Sequence, residues 1–241
     1  MRLNIGIYNI CHGEGLDKIV DVKRQGTFLK EKNIDILLIQ EVDINTERAN
    51  INEIEELSTS IGHDYYYFGK NEDFLNGEYG NGIISKYEII ESNNYLTDVE
   101  KSHEMRGVCH SKIKINNTVI NAISVHLPVF EEERIKYIKR LIEVIESIKN
   151  ELIIIGGDFN TGIKKIGDHK YIYENKSEFI EYDMLKKYLI KLNNSEITWI
   201  SETGKACIDT IFYSKEFKLV EYKNIGNDYS DHSLLTVLLD V

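Results

Sequence analysis

Residues 152–160 read Leu-Ile-Ile-Ile-Gly-Gly-Asp-Phe-Asn. Leu152–Ile155 is an unbroken apolar run, which suits a strand buried on both faces. The clearest helix of the chain, Glu131–Lys149, comes just before it. Its acidic first turn suits the helix dipole, and Ile135, Ile138, Ile142, Ile145 and Ile148 line one stripe. Upstream again, Gly107–Ile115 and Thr118–His126 read as two strands joined by the tight-turn pair Asn116-Asn117.

The same alternation of hairpins and βα units extends in both directions. Leu3–Tyr8 alternates at period two, with Leu3, Ile5 and Ile7 on one face. A helix is expected from about Asp17, as its cap, to Glu31. Ile34–Ile39 is a second buried strand of parallel type, running into Gln40-Glu41, and Asn52–Ile61 is helical in pattern. Tyr65–Phe68, Gly82–Ser85 and Ile89–Leu96 read as strands. Downstream come a short helix near Met184–Leu192 and three strands, Cys207–Tyr213, Lys218–Ile225 and Ser233–Leu239. With no repeat and no linker, the reading is one α/β domain over 1–241. Two sheets pack face to face in it, with helices outside.

Composition narrows the function. Of 241 residues 42% are apolar and 29% charged, enough for a sizeable core, and a single proline excludes proline-rich organisation. The net charge of −11 repels phosphate backbones, which disfavours a protein that coats nucleic acid but not one that neutralises a phosphate locally with a metal ion. Cys11, Cys109 and Cys207 are too few and too scattered for a disulfide framework or a CxxC zinc site, which suits a reducing cytoplasm. No apolar run approaches ~18 residues and the N-terminus reads as a strand without a signal-peptide core. A cytoplasmic protein without stable membrane insertion is expected.

The polar residues that matter stand at strand ends. Asn9 closes the first strand, Gln40-Glu41 the second, and His126 the strand before the long helix. Asp158 and Asn160 follow Gly156-Gly157, and Asp231-His232 precede the last strand. Each has a bland reading: Asp158 as a turn aspartate, Glu41 as re-entry into solvent, His126 as a satisfied core histidine, Asp231-His232 as a loop cap. Asp209 resists that treatment, because Cys207-Ile208-Asp209-Thr210-Ile211-Phe212 sets a carboxylate inside an apolar strand. A buried carboxylate costs several kcal/mol unless partnered, so Asp209 needs a histidine, an arginine or other donors.

Taken together, the motifs resemble a family. YNI at 8–10, LIQEVD at 38–43, GEYGNGIIS at 77–85, MRGV at 105–108, SVHL at 124–127, GGDFN at 156–160, IDTIF at 208–212 and SDH at 230–232 occur in the order of the endonuclease/exonuclease/phosphatase superfamily. These are deoxyribonuclease-I-like, metal-dependent phosphoesterases, and the resemblance covers essentially the whole chain. It implies a four-layer sandwich of two mixed β-sheets with helices on both outer faces. It also implies roles: Glu41 as principal magnesium ligand with Asn9 beside it, and Asp231 as a further metal or water-positioning acid. Asp158 and Asn160 would orient the attacking water, Asp209 would orient His232, and His126 would contact the phosphate. Asn81 and Arg106 would be supports. Manganese could substitute for magnesium.

The chemistry fits a phosphoester without the name. Magnesium takes oxygen donors and keeps several waters, so one or two protein ligands suffice. An imidazole held by a carboxylate has a fixed tautomer and raised basicity, which suits proton transfer. No HExxH zinc pattern is present, and Gly77-x-x-Gly80-x-Gly82 does not follow GxGxxG order. Within the family, Cys11 stands where some nucleases carry an acid, and Ile155 where inositol-phosphate phosphatases carry tryptophan. NICHGEG at 9–15, and SVHLP with Arg134 beyond it, are similar to the compact bacterial metal-dependent hydrolases. The expected function is magnesium-dependent hydrolysis of a phosphoester, with no obligate protein partner. The alternatives are a nuclease on short or single-stranded nucleic acid and, below it, a non-catalytic binding module. Lysines on the site rim would favour a nuclease; Lys70, Lys86, Lys101, Lys164 and Lys165 are the candidates. His12, His63, His103, His110 and His169 are taken as non-catalytic.

Overall fold

The computed structural model describes residues 1–97, 104–167, 170–173, 179–202 and 204–241, with backbone only for 164–167 and 170–171. Lys101, His103 and His169, and the side chains of Lys164 and Lys165, lie outside the described residues. In chain order the elements begin with β1 (Arg2–Asn9), α1 (Val22–Lys30), β2 (Ile36–Ile44), α2 (Glu53–Ile61), β3 (Tyr65–Phe74) and β4 (Gly77–Ser85). Next come β5 (Glu88–Leu96), β6 (Gly107–Ile115), β7 (Thr118–His126), α3 (Glu131–Ser147) and β8 (Leu152–Asp158). Then follow β9 (Ile163–Gly167), β10 (Lys170–Tyr173), α4 (Ile180–Leu185), β11 (Ile190–Lys191), β12 (Trp199–Ser201) and β13 (Gly204–Ala206). The last strands are β14 (Asp209–Tyr213), β15 (Lys218–Ile225) and β16 (Leu234–Asp240).

Period-two alternation assigns the layers. Leu3, Ile5 and Ile7 of β1 and Ile36 and Leu38 of β2 enter one apolar cluster, together with Ile113, Ile120, Ile154 and Ile211 of the other sheet. Tyr8, Leu37 and Ile39 point the other way, onto Val22 and Leu29 of α1 and Ile54 and Leu57 of α2. On the far side Ile123, Val125, Ile153 and Ile155 pack on Tyr137, Ile138 and Leu141 of α3 and on Tyr182 and Leu185 of α4. Three apolar interlayers therefore separate four layers. The first sheet has the order β15-β16-β1-β2-β4-β3 and the second β11-β14-β8-β7-β6-β5. Each is mixed: β1–β2 and β7–β8 are parallel, and the other pairs are antiparallel. Polar groups also bridge the sheets, where Gln40 Nε2 donates to Ser124 Oγ at 2.9 Å and Ser124 Oγ to the Ile39 carbonyl at 2.9 Å.

Two helices differ from expectation. The first begins at Val22, because Asp21 and not Asp17 accepts the capping N–H, from Lys23 at 3.0 Å. Asp17 is instead held in a turn, accepting from the Ile19 N–H at 3.1 Å and pairing with Arg24 at 2.6 Å. The helix expected near Met184–Leu192 stops at Leu185, since Ile190 and Lys191 pair with Tyr213 and Phe212 at the sheet edge. The short ribbons β9–β10 and β12–β13 carry too few residues for a period to be read. On α3 the buried face centres on Tyr137, Ile138, Leu141 and Ile145, with Arg134 buried beneath it and bonded to Glu181 of α4 at 2.7 Å.

Candidate active site

Sheet register places half of the site. His126 lies opposite Asp158 across the parallel β7–β8 pair, and Asp209 lies opposite Asp158 across the antiparallel β8–β14 pair. Three neighbouring strands thus put three functional side chains in one row. The Gly-Gly before Asp158 makes this approach possible. A Cβ on Gly156 would stand 2.6 Å from Ile7 Cγ1 of the first sheet, and one on Gly157 only 1.9 Å from the Val125 carbonyl oxygen.

The first sheet supplies the rest. Glu41 sits in a break of the β2–β4 register between Ile39 and Val42, with a left-handed backbone at φ 59°. Such a bulge turns a side chain out of the strand's alternation and is a strained position for a residue with a Cβ. Glu41 remains 24% exposed, facing the cleft. Asn9, at the end of β1, donates through Nδ2 to Glu41 Oε1 at 2.9 Å and to Asp158 Oδ2 at 3.3 Å. Its Oδ1 accepts the Cys11 N–H at 3.0 Å, so Asn9 steadies Glu41 and would have to turn its amide over to offer oxygen to an ion. Asp231 and His232 arrive from the turn before β16, with Ser230 Oγ tied to the Asn9 carbonyl at 2.8 Å.

Asp209 finds the partner its burial demands. Its Oδ2 accepts from His232 Nδ1 at 2.9 Å, both side chains being nearly inaccessible. His232 Nε2 then lies 3.7 Å from Asp158 Oδ2. Burial alone would lower the His232 pKa, but Asp209, Asp231 and Asp158 together raise it well above the ordinary value. His126 is the opposite case. Burial, and then Arg106, hold it well below the ordinary value despite Glu41. Arg106 Nη1 lies 3.0 Å from His126 Nδ1. A guanidinium only donates, so Nδ1 accepts and the ring proton sits on Nε2. That Nε2 faces Asp158 Oδ2 at 3.5 Å and Glu41 Oε1 at 3.9 Å. Burial would raise the pKa of Glu41, but His12, His126 and Asn9 hold it well below the carboxylate range. Burial pushes Asp158 and Asp231 upward.

Glu41, His126, Asp158, Asn160, Asp231 and His232 line one cleft of about 220 Å³, together with Arg106 and Glu104. Val129, Ile163, Trp199 and Ile208 give it an apolar lining. A larger groove of about 520 Å³, beside Lys149, Leu152 and Lys187 at the other end of β8, contains none of these residues. Asn160 Nδ2 donates to the Leu127 carbonyl at 2.9 Å, and its N–H caps Asp158 Oδ1 at 2.9 Å. Asn81 stands behind the cleft, donating to the Gly107 carbonyl at 3.4 Å, next to Arg106. Arg106 also bonds Glu104 and reaches the Tyr79 hydroxyl at 3.4 Å. His63 and His110 bond the Ile34 carbonyl and Asn121, away from the cleft.

Sequence reasoning missed three contributors. Trp199 donates its indole N–H to Asp231 Oδ2 at 3.0 Å, and its being the chain's single tryptophan was the available signal. Thr198 Oγ1 accepts the Asp209 N–H at 3.0 Å, for which the sequence offers no sign. His12, set aside as non-catalytic, has Nδ1 3.9 Å from Glu41 Oε2.

The donors suit a divalent cation. Glu41 stays ionised and presents an oxygen to the cleft, the ligand chemistry that a hard ion requires. Asp158, Asp209 and His232 also lie within 4.8 Å of one another. There, however, Asp209 and His232 already satisfy each other, so an ion would have to break their bond. That trio reads as an acid–base arrangement.

Comparison with known proteins agrees with the geometry. The uncharacterized protein YbhP of Escherichia coli (strain K12) is 29% identical over 109 residues, 44% of this chain and 42% of that protein. The match thus spans under half the length of the curated relative. An endonuclease/exonuclease/phosphatase from Beutenbergia cavernae superposes with a TM-score of 0.81 at 15% identity, covering 100% of this chain and 72% of that one. A family protein from Leptotrichia buccalis gives 0.75 at 21% identity, covering 99% and 100%. Both likenesses speak for the fold. The family model of the Endonuclease/Exonuclease/phosphatase family matches from Ile7 to His232, through every strand that carries the site, and the chain belongs to that family.

Proposed function

We propose that residues 1–241 form one domain that hydrolyses a phosphoester with the help of a divalent cation. The observation that carries this reading is the convergence, in one cleft, of the ionised Glu41 and the Asp209–His232 pair. Glu41 is the principal ligand, with Asn9 and Asp231 beside it, and an oxygen donor set of this kind suits a hard ion such as magnesium, with manganese as a substitute. Such an ion neutralises charge on phosphoryl oxygens. Asp209 fixes the His232 tautomer so that Nε2–H faces the reacting phosphate as proton donor. Asp158 and Asn160 hold the attacking water in line. His126 donates a hydrogen bond from its Nε2–H to a phosphate oxygen without giving up the proton, and Arg106 keeps that ring neutral and correctly turned. Asn81 supports the backbone next to Arg106.

The charge pattern supports a short substrate over a long duplex. Among the described lysines proposed for the rim, Lys70 is paired with Asp73 and Glu78, and Lys86 with Asp35. The test is hydrolysis of aryl phosphomonoesters, phosphodiesters and short oligonucleotides with and without added magnesium or manganese. Activity should vanish in EDTA and return with metal. Glu41→Gln, which keeps shape and removes charge, should lower turnover at least ~10²-fold. Full activity in excess EDTA, or a near-silent Glu41→Gln, would sink the reading.

A further inference from the structure

Glu41 is approached from a side that phosphoester hydrolysis leaves unused. Cys11, His12 and Gly13 all have left-handed backbone, at φ 47°, 43° and 77°. Two successive residues with side chains rarely adopt this. The turn brings Cys11 Sγ, a His12 ring nitrogen and a Glu41 carboxylate oxygen within 4.8 Å of one another. His12 Nδ1 is buried without a hydrogen-bond partner and lies 3.9 Å from Glu41 Oε2. The other oxygen, Oε1, is the one that accepts from Asn9. A tetrahedral ion with bonds of ~2.0–2.3 Å spaces its donors by roughly 3.3–3.8 Å. Small side-chain rotations therefore suffice to close these three groups on one ion, with the fourth position left open.

We propose that Cys11 and His12 join Glu41 in a mixed sulfur, nitrogen and oxygen site that takes a zinc-class transition ion in preference to magnesium. Thiolate and imidazole favour zinc and cobalt, whereas magnesium gains nothing from sulfur. The proposal rests on the reading of Glu41 as a metal ligand, but its readout does not depend on turnover.

The experiment titrates the metal-free protein, residues 1–241, with cobalt(II) and follows the near-ultraviolet absorption of a thiolate-to-cobalt charge-transfer band. Competition with zinc and magnesium ranks the ions. A band that zinc displaces at stoichiometric concentration, and magnesium only in large excess, is the expected result. Cys11→Ser should abolish the band. Cys11→Ser and His12→Gln should each weaken zinc binding more than ~100-fold, beyond the 10–100-fold typical of residues that merely orient a ligand. Cys11→Asp, an oxygen donor of similar reach, should lose the band and tighten magnesium binding. A band that is absent, or that survives Cys11→Ser and so arises from another cysteine, overturns the proposal. Magnesium-supported hydrolysis in that same protein would show that the ligand set, and not the phosphoesterase reading, had failed.

Discussion

Asp209 is the most legible candidate site residue, because a carboxylate inside an apolar strand is too costly to stand alone and so demands a partner. That partner, His232 Nδ1 at 2.9 Å, predicts coupled losses. Asp209→Asn and His232→Ala should each lower kcat by several orders of magnitude, and the double variant should be little worse than either, since groups acting as one unit are not additive. Independent multiplication of the two losses would separate the residues. The same contact ties stability to pH. His232 is protonated more readily in the folded chain, so its contribution is complete below the unfolded histidine value of ~6.5 and is lost as pH rises through the raised folded value. Urea midpoints measured from acid to alkaline pH should show that decline, and Asp209→Asn should flatten it. An unchanged alkaline decline in the variant would disprove the linkage. His12 was illegible for a plain reason: its approach to Glu41 depends on positive backbone angles at Cys11 and His12, which neither residue type announces.

Among the elements, the central strands were legible wherever their apolar residues were continuous or strictly alternating, as in β1, β2 and β8. Helix boundaries depended on finer chemistry. Asp17 and Asp21 are equally good caps by type, and only the tertiary turn that binds Asp17 to Arg24 decides between them. Asp21→Ala should therefore cost about 1 kcal/mol of stability, as loss of a helix cap does, while Asp17→Ala should cost less. Chemical denaturation of the two variants checks the order, and a larger loss at Asp17 would return the helix start to the earlier residue. The edge strand β11 was invisible because two residues that continue a helical pattern are claimed by pairing with β14.

For the molecule as a whole, the net charge of −11 and the paired Lys70 and Lys86 predict weak binding of long duplex DNA. Its affinity should be no tighter than the nonspecific scale of ~10⁻⁶ M at physiological salt. Sub-micromolar binding with a steep salt slope would reveal a cationic groove. The layering was legible from the sequence, and the pairing of one sheet's polar groups with the other's was not, because no local pattern encodes it. That pairing has a consequence in time. Asn9, Glu41 and His232 hang from the first sheet, and His126, Asp158 and Asp209 from the second, so the Asp209–His232 and Asn9–Asp158 bonds both cross between them. Neither sheet alone holds the complete set of candidate site residues. The Asn9–Asp158 contact, between residues 149 apart in the chain, forms late, and chains of this length pass through partly assembled species. During refolding, catalytic competence should lag behind the return of strand structure, and anything that grips both halves of the cleft will act as a latch on the docked state.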